Sequence, residues 1–387
     1  MDLRFSAEDE AFRAQVREWL DEHLVGEFAA LGDAGGPGRE HEGFDVRRAW
    51  ERLLGEHGWI GLGWPSSAGG RGATLMQQVV FHEEYARARA PHRVNHIGEN
   101  LLAPTLLACG SEAQRSRFLP PIRSGDELWC QGYSEPDAGS DLANVKTRAV
   151  RDGDEWVVTG QKVWTSLAHV ADWCFVLART DPSASKHAGL SYLLVPMDQP
   201  GIEIRPIVQI TGTSEFNEVF FDGARTSLSN VVGEPGDGWR VAMATLGFER
   251  GVATLGQQVG FARELETVIA AARDNGALAD PYVADRVTQS WMELRAMRYT
   301  ALRMLAVSTP GVEASISKLL WSGWHQRLGE LAMLVRGASG TVAGGDDGEL
   351  DELQRLYLFS RADTIYGGSD EIQRGIIATR MLGLPRP

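Results

Sequence analysis

Residues 132–143 read GYSEPDAGSDLA, and residues 160–166, about twenty positions further on, read GQKVWTS. The first segment combines turn-forming residues with two serines, and in isolation it fits a plain turn between a helix and a sheet equally well. Its hydroxyls and free backbone N–H groups could also hold an anionic group such as a pyrophosphate. The second segment places Trp164 beside two hydroxyls at the end of a predicted strand, although a single tryptophan is more often a core residue. Together the two segments favour a ligand site.

The character of the chain changes twice outside these segments. Apolar residues such as Phe12, Val16 and Leu20 recur at helical spacing in the first part of the chain. Short β-branched and aromatic runs separated by turn residues follow, which predicts a small antiparallel β domain, and the remainder is helical again. We therefore predict an α+β protein with an N-terminal α-helical domain at 1–126, a middle β domain at 127–235 and a C-terminal α-helical domain at 236–387.

The composition argues against several classes of function. With 52 acidic and 38 basic residues, the net charge of −14 disfavours binding to nucleic acid or to an anionic membrane. Cys109, Cys130 and Cys174 are too widely spaced for a disulfide framework or a zinc site, so we expect no metal. No apolar run approaches the roughly 20 residues of a bilayer span. The charged N-terminus does not resemble a secretory signal, so we expect a cytoplasmic protein.

Two common nucleotide-binding motifs are missing from the sequence. It contains no GxGxxG that opens a βαβ unit and no GxxxxGK[ST], so it supports neither a Rossmann nicotinamide site nor a P-loop. Any dinucleotide that binds must therefore lie extended over loops and helix ends.

The two quoted segments belong to a longer series of blocks whose order and spacing resemble the acyl-CoA dehydrogenase family over nearly the whole chain. The other blocks are residues 58–72, 97–109, 118–120, 233–234, 238–239 and 365–384. The overall sequence is most similar to actinobacterial members, some of which act on sterol side chains. The resemblance implies a C-terminal four-helix bundle, FAD as the cofactor, an acyl-CoA thioester as the substrate and an electron-transfer flavoprotein as the electron acceptor.

The resemblance also implies roles for individual residues. The flavin ring is expected to pack on Trp164, and Ser166 to donate a hydrogen bond to flavin N5, where electron density accumulates as hydride arrives. Ser134 is expected at the pyrimidine edge of the flavin. Ser140 is expected near the flavin pyrophosphate and the substrate, and Arg250 is a second candidate for a substrate contact. Further candidates for contacts with FAD are Gln131, Thr165, Ser369 and Glu371.

The resemblance places the catalytic base at Glu249. Many family members carry this glutamate in a C-terminal Tyr-Glu-Gly-Thr loop, but residues 366–369 here read YGGS, so Gly367 occupies its position. A minority branch, which includes isovaleryl-CoA and long-chain dehydrogenases, has the base on a helix in a Leu-x-x-Glu-Arg segment, and residues 246–250 read LGFER. The alternative for Glu249 is a helix carboxylate that is either paired with Arg250 or solvated. The Gly367 N–H can still donate to the thioester carbonyl oxygen, because a backbone group is independent of the side chain.

The part of the FAD site that a neighbouring subunit supplies in many relatives is poorly matched. An Arg-x-x-Phe-Gly segment of those relatives corresponds to residues 273–276, which read RDNG, and a Gln-x-x-Gly-Gly segment is replaced by residues 334–340. In a homodimer or homotetramer, Arg273 and Arg336 are candidates for phosphate contacts, although each is equally well explained as a surface residue. Alternatively, the chain pairs with a homologous subunit in a heteromer and each subunit supplies half of a site.

Two other functions remain compatible with this fold. A flavin oxidase or monooxygenase differs mainly in oxygen access, which the sequence does not display, and monooxygenase relatives generally lack a base carboxylate such as Glu249. A non-catalytic subunit that only stabilises an active homologue would bind no flavin. We expect α,β-dehydrogenation of an acyl-CoA thioester.

Overall fold

The structure, a computed structural model, describes residues 5–248, 253–305, 313–344 and 348–385. The described chain divides into two compact units. The sheet unit comprises residues 18–78 and 89–248, and the bundle unit comprises residues 5–17, residues 79–88 and the described residues from 253 onwards.

The described elements follow the predicted order of helices, then strands, then helices. The helices are α1 (Ala7–His23), α2 (Gly26–Leu31), α3 (Phe44–Glu56), α4 (Leu75–Arg87), α5 (Ala103–Cys109), α6 (Glu112–Ser124), α7 (Gly238–Phe248), α8 (Ala253–Asp274), α9 (Pro281–Leu305), α10 (Glu313–Arg336), α11 (Glu352–Phe359) and α12 (Asp370–Ile376). The strands are β1 (Trp129–Gly132), β2 (Arg148–Asp152), β3 (Glu155–Ser166), β4 (Trp173–Arg179), β5 (Leu190–Pro196), β6 (Ile202–Ile207) and β7 (Phe216–Ser227).

Local sequence explains where several of these elements begin and end. Ser111 and Gln114 form a reciprocal capping box that starts α6, and Gly125 ends the helix in a left-handed conformation with a φ of 73°. The turn between β2 and β3 needs the same backbone freedom, and Gly153 supplies it with a φ of 61°.

The sheet unit is built on one seven-stranded sheet in the order β1-β4-β2-β3-β7-β6, with β5 paired to β4. Most pairings are antiparallel, as the prediction requires. Two are parallel: β1 lies along β4 with Cys130 opposite Cys174, and β2 meets β4 through Arg148 and Arg179. The chain between β1 and β4 passes through β2 and β3, and a connection of this length allows the two strands to run in the same direction.

Alternate residues of the central strand β4 belong to two different hydrophobic cores. Phe175 and Leu177 pack in the core that includes Leu106 of α5, Phe118 of α6 and Val241 of α7. The intervening β4 residues pack on the opposite face with side chains of β3 and β7. Burial of one large apolar side chain contributes about 1.5–3 kcal/mol, so both cores fix the strands that lead to the site.

The bundle unit has α10 at its centre. Trp324 and Leu328 of α10 pack with Phe261 of α8 and Leu294 of α9, and the Trp324 indole N–H donates to Ser290 O at 2.9 Å. Helix α11 adds Leu353 and Leu356 to this core. The arrangement agrees with the predicted four-helix bundle.

Within the described ranges, no helix is both long and apolar enough to cross a bilayer. The same ranges contain no group of three or more His, Cys, Asp or Glu side chains that could hold a metal ion. The domain boundaries at residues 126 and 235 stay a prediction.

Candidate active site

Strand β3 bulges near its carboxyl end, and Trp164 lies in the bulge. Lys162 pairs with Val219 of β7 and Thr165 pairs with Asn217, so β3 has one residue more than β7 in this interval. Trp164 has a φ of 60°, a left-handed conformation that costs a residue other than glycine about 1–3 kcal/mol. Its side chain is 57% exposed. The bulge therefore presents a large aromatic ring on the surface of the sheet unit, where a planar ligand can stack on it.

Two hydroxyl residues follow the exposed tryptophan. Thr165 is buried, and its carbonyl oxygen accepts a hydrogen bond from Asn217 Nδ2 at 3.1 Å. Its Oγ1 is buried and has no hydrogen-bond partner among the described residues. Ser166 is half-buried and pairs with Phe216 of β7. Because a buried polar group without a partner costs about 1–3 kcal/mol, the Thr165 hydroxyl fits a position that a bound ligand completes.

The segment of residues 132–143 lies against the end of β3. Val163 N donates to Ser134 O at 2.9 Å, which places Ser134 beside the residue that precedes Trp164. Gln131 precedes this contact in β1, where it is half-buried and opposite Phe175 of β4. The fold thus gathers Ser134, Trp164, Thr165 and Ser166 in one region.

A buried ion pair fixes the segment in this position. Lys162 Nζ donates to Glu135 Oε1 at 2.8 Å and to the carbonyl oxygen of Tyr133 at 3.0 Å. Glu135 also accepts hydrogen bonds from Lys146 N at 2.6 Å and Thr147 N at 2.9 Å. Burial alone would raise the pKa of Glu135, but the Lys162 ammonium and these donors outweigh it and hold the pKa below its ordinary value.

Ser140 occupies a different position from the other sheet-unit candidates. It lies on an exposed turn, next to Asp141, whose carboxylate pairs with Lys186 Nζ at 2.7 Å. A turn is a reasonable position for a phosphate contact, but no contact in the described chain joins Ser140 to Trp164.

In the bundle unit, the loop before α12 carries Gly367 and Ser369, and the first turn of α12 carries Glu371. Gly367 has a φ of 63°, and its carbonyl oxygen accepts a hydrogen bond from Gln373 Nε2 at 3.1 Å. None of the hydrogen bonds between described residues uses the Gly367 N–H. Ser369 caps α12 by accepting from Ile372 N at 3.4 Å, and Glu371 is exposed in the first turn.

The two arginines proposed for phosphate contacts lie at the ends of neighbouring helices. Asn275 Nδ2, just after α8, donates to Val335 O in the last turn of α10 at 2.8 Å. Arg273 is exposed at the end of α8, whereas Arg336 ends α10 and pairs with Asp351 at 2.6 Å. Arg273 is therefore the more available of the two for an anionic ligand.

The predicted base Glu249 and its neighbour Arg250 lie outside the described residues. Helix α7 ends at Phe248, the residue before Glu249, and its middle is firmly anchored. Thr245 in this helix is buried and shares a hydrogen bond of 2.9 Å with Thr105.

The sequence reasoning overlooked the roles of Lys162 and Glu135. One signal was present in β3. Every second residue of a strand faces the same side, so Lys162 shares a face with Gly160 and the apolar Val158. A lysine on an inward face needs a buried partner, and Glu135 is the acidic residue of the segment that packs there.

Taken together, the sheet-unit residues fit a flavin. They offer an exposed indole in a strained backbone, a buried hydroxyl without a partner and a serine at the adjacent backbone contact. Stacking and hydrogen bonding of this kind suit a planar heterocycle with polar edges.

Comparison with known proteins agrees with this geometry. Sequence models of the N-terminal, middle and C-terminal domains of acyl-CoA dehydrogenase match residues 6–126, 130–224 and 236–382. The acyl-CoA dehydrogenase IpdE1 of Mycobacterium tuberculosis is 64% identical over 380 residues, which cover 97% of this chain and 98% of the relative.

Two solved structures extend the similarity to the fold. The Tcur3481-Tcur3483 steroid ACAD superimposes with a TM-score of 0.86 at 34% identity, covering 100% of both chains. The ChsE4-ChsE5 complex from Mycobacterium tuberculosis gives a TM-score of 0.81 at 30% identity, again covering 100% of both chains. The chain therefore belongs to the acyl-CoA dehydrogenase family, flavoprotein oxidoreductases that act on acyl-CoA.

Proposed function

We propose that this chain catalyses the FAD-dependent α,β-dehydrogenation of an acyl-CoA thioester to the 2-enoyl-CoA. The observation that carries the proposal is the bulge at Trp164, where the fold tolerates a strained φ of 60° and exposes an indole beside two hydroxyl residues. Backbone strain of this kind clusters at functional sites, where the surrounding structure holds it in place.

The cofactor contacts that we propose fall into two sets. Trp164 stacks on the flavin and excludes water, and the hydroxyls of Ser166 and Thr165 donate hydrogen bonds to its polar edge. Ser134 and Gln131 complete this part of the site. When bound, FAD supplies the acceptor for the hydride that leaves the β-carbon. The candidates for its remaining contacts are Ser140, Arg273, Arg336, Ser369 and Glu371.

Two groups of this chain act on the thioester in our proposal. The Glu249 carboxylate takes the proton from the α-carbon. The electron pair of that C–H bond, partly delocalised onto the carbonyl group in the transition state, becomes the α,β double bond as the hydride leaves the β-carbon. The Gly367 N–H donates a hydrogen bond to the carbonyl oxygen and stabilises the negative charge that develops there. Ser140 and Arg250 contact the substrate outside the reacting atoms.

A steroid-derived acyl group is the substrate class that we favour among acyl-CoA thioesters. The support comes from the Tcur3481-Tcur3483 protein, which is described as a steroid ACAD and is similar to this chain over its full length. An electron-transfer flavoprotein is the proposed acceptor of the electrons. The paired names of both solved relatives also support a heteromer with a homologous subunit over a homodimer or homotetramer.

A panel of acyl-CoA thioesters tests the proposed function. Under anaerobic conditions the purified flavin-loaded protein is mixed with straight-chain, branched and steroid-derived thioesters, and bleaching of the flavin absorbance is recorded. We expect rapid bleaching by at least one steroid-derived thioester. Absence of bleaching by every thioester of the panel would refute the proposed function. Rapid reoxidation of the reduced flavin by air would favour an oxidase.

A further inference from the structure

Four side chains in the bundle unit form a continuous chain of hydrogen bonds that ends at the loop of Gly367. His325 Nε2 lies 2.8 Å from Glu264 Oε2, and His325 Nδ1 lies 2.5 Å from Asp363 Oδ2. The other oxygen of Asp363 accepts a hydrogen bond from Tyr366 Oη at 2.6 Å. These residues, from α8, α10 and the segment after α11, are called the Glu264–Tyr366 chain below.

The centre of the Glu264–Tyr366 chain is buried. His325 and Asp363 are only 5% and 1% exposed. Lys318 Nζ, also buried, donates to the carbonyl oxygen of Asp363 and lies 4.1 Å from the centre of the Trp321 ring. His325 is therefore the partner of the Asp363 carboxylate, and the Lys318 ammonium holds the Asp363 carbonyl oxygen. Loss of either partner would leave a buried polar group unsatisfied, which is expensive in a protein interior.

The Glu264–Tyr366 chain ends at Tyr366, the residue that precedes Gly367. Tyr366 is held through its hydroxyl by Asp363, and Lys318 Nζ lies 4.9 Å from the centre of its ring. On the other side of Gly367, Gln373 Nε2 donates to the carbonyl oxygens of Gly367 at 3.1 Å and Gly368 at 3.3 Å. The peptide that carries the Gly367 N–H is therefore anchored on both sides.

We propose that the Glu264–Tyr366 chain is a positioning device that fixes the Gly367 N–H toward the thioester carbonyl oxygen. The inference rests on the proposed function, which gives that N–H its role. His325, Asp363 and Tyr366 are positioning residues in this scheme, because they act through the backbone of the loop and not on the substrate itself. Gly367 and Gly368 both have a left-handed backbone, and two consecutive glycines give the loop little rigidity of its own. The Glu264–Tyr366 chain compensates for this freedom.

The size of the expected effect follows from the value of an aligned donor. Removal of one oxyanion donor slows an enzyme by about 10²–10³-fold, and misplacement by about 1 Å costs about 10²-fold. Tyr366→Phe removes the link between Asp363 and the loop but keeps the ring and the Gly367 N–H. We expect the rate of flavin reduction at saturating thioester to fall by about 10- to 100-fold, with little change in thioester affinity.

The decisive readout is the carbonyl group of a bound ligand. A hydrogen bond to a thioester carbonyl lowers its stretching frequency, so infrared difference spectra of a 2-enoyl-CoA labelled with ¹³C at the carbonyl report directly on the Gly367 contact. We expect a clear downshift with the flavin-loaded wild-type protein and a smaller one with Tyr366→Phe and with His325→Gln. A contribution of the chain to stability alone would lower the midpoint of unfolding without changing this frequency.

Glu330→Gln is the matched control. Glu330 also pairs α10 with the segment after α11, through Arg361 at 3.1 Å, but this pair is on the surface and is not part of the Glu264–Tyr366 chain. The control is expected to match the wild type in frequency and in rate. Equal carbonyl frequencies in the wild type and Tyr366→Phe would overturn the inference. Absence of flavin bleaching by every thioester refutes the proposed function instead, and the frequency of the bound 2-enoyl thioester still decides whether the chain positions the donor.

Discussion

Lys162 Nζ lies 2.8 Å from Glu135 Oε1, and both side chains are buried beneath the segment that leads to the exposed Trp164. The pair joins residues 27 positions apart in the sequence, and the Lys162 ammonium also donates to the carbonyl oxygens of Tyr133 and Leu177. The ion pair therefore links the strand that carries the tryptophan to the segment that carries Ser134.

Replacement of the lysine alone should destabilise the protein strongly. Lys162→Met leaves the Glu135 carboxylate buried without its cation, and we expect a loss of about 3–5 kcal/mol in the free energy of unfolding. Urea unfolding of the wild type and the variant measures the difference. The double variant Lys162→Met with Glu135→Gln should recover part of the loss, since no buried charge remains. Lys146→Met is the control, because Lys146 pairs with Asp137 at the surface and should change stability by less than about 1 kcal/mol.

Trp164 should show opposite effects on stability and on cofactor binding. Trp164→Gly relieves the left-handed strain, so the flavin-free protein should be as stable as the wild type or more stable, by up to about 2 kcal/mol. Its affinity for FAD should fall by about tenfold or more, because the stacking surface is lost. Thermal unfolding and equilibrium dialysis measure the two effects. Trp164→Phe keeps a ring and should bind FAD more tightly than Trp164→Gly does. Equal FAD affinity in Trp164→Gly and the wild type would contradict the stacking role.

Glu249→Gln should separate cofactor binding from chemistry. The variant is expected to retain FAD, because the amide preserves the size of the side chain, while flavin reduction by a thioester slows by about 10²–10⁴-fold. Stopped-flow absorbance under anaerobic conditions gives the rate. Near-normal reduction would exclude Glu249 as the base. In the complementary variant, Glu249→Gly with Gly367→Glu, partial recovery of activity is expected, because the resemblance allows the base at either of these two positions.

The stability of the protein should depend on pH through His325. Burial on its own would lower the pKa of His325, but Glu264 and Asp363 outweigh it and raise the pKa to about 10. The folded state therefore binds a proton that the unfolded chain, with a histidine pKa of about 6.5, releases at lower pH. This stabilisation is complete below about pH 6.5 and is lost as the pH rises toward about 10.

The measurement compares the wild type with His325→Gln. The midpoint of thermal unfolding, recorded between about pH 6 and pH 10, should decline more steeply with pH in the wild type. Lys318, whose Nζ donates to the carbonyl oxygen of Asp363, is present in both proteins, so the difference between the two curves reports on His325. Parallel curves for the two proteins would mean that His325 is not protonated in the folded state.

The proposed heteromer predicts a flavin deficit in the protein expressed alone. Mass spectrometry under native conditions and the ratio of flavin to protein should show less than one FAD per chain, and co-expression with a homologous subunit should raise the ratio. One tightly bound FAD per chain in the protein expressed alone would favour a homomer. In that case, Arg273→Ala should weaken FAD binding more than Arg336→Ala does, because Arg336 is already paired with Asp351.

The sequence was informative where the chemistry is local. Trp164, Thr165 and Ser166 are neighbours in the chain, so one strand end suffices to predict their proximity. The order of helical and strand regions also followed from periodicity alone. The bulge at Trp164 did not, because it depends on how many residues of β7 lie opposite β3. The parallel pairings of β4 could not be predicted either, because they depend on which strands lie beside β4 in the folded sheet.

Long-range polar contacts explain most of what the sequence analysis did not find. His325 meets Asp363 and Glu264 across 38 and 61 residues. Its one local signal is its position beside Trp324 in a helix with a wide apolar face, where a histidine needs buried partners. Which acidic residues supply those partners is decided by the packing of three helical segments, and the chain order does not reveal it.

The bulge in β3 has a consequence for the comparison of homologues. The bulge depends on the number of residues between Lys162 and Thr165. Deletion of one residue from this interval would restore a regular ladder and return the side chains that follow to the opposite face of the sheet. A relative could keep a tryptophan and both hydroxyl residues and still be unable to hold a flavin. If Trp164 stacks on the flavin as proposed, a single-residue gap in an alignment would mark the loss of the cofactor in a relative that keeps the tryptophan and both hydroxyl residues.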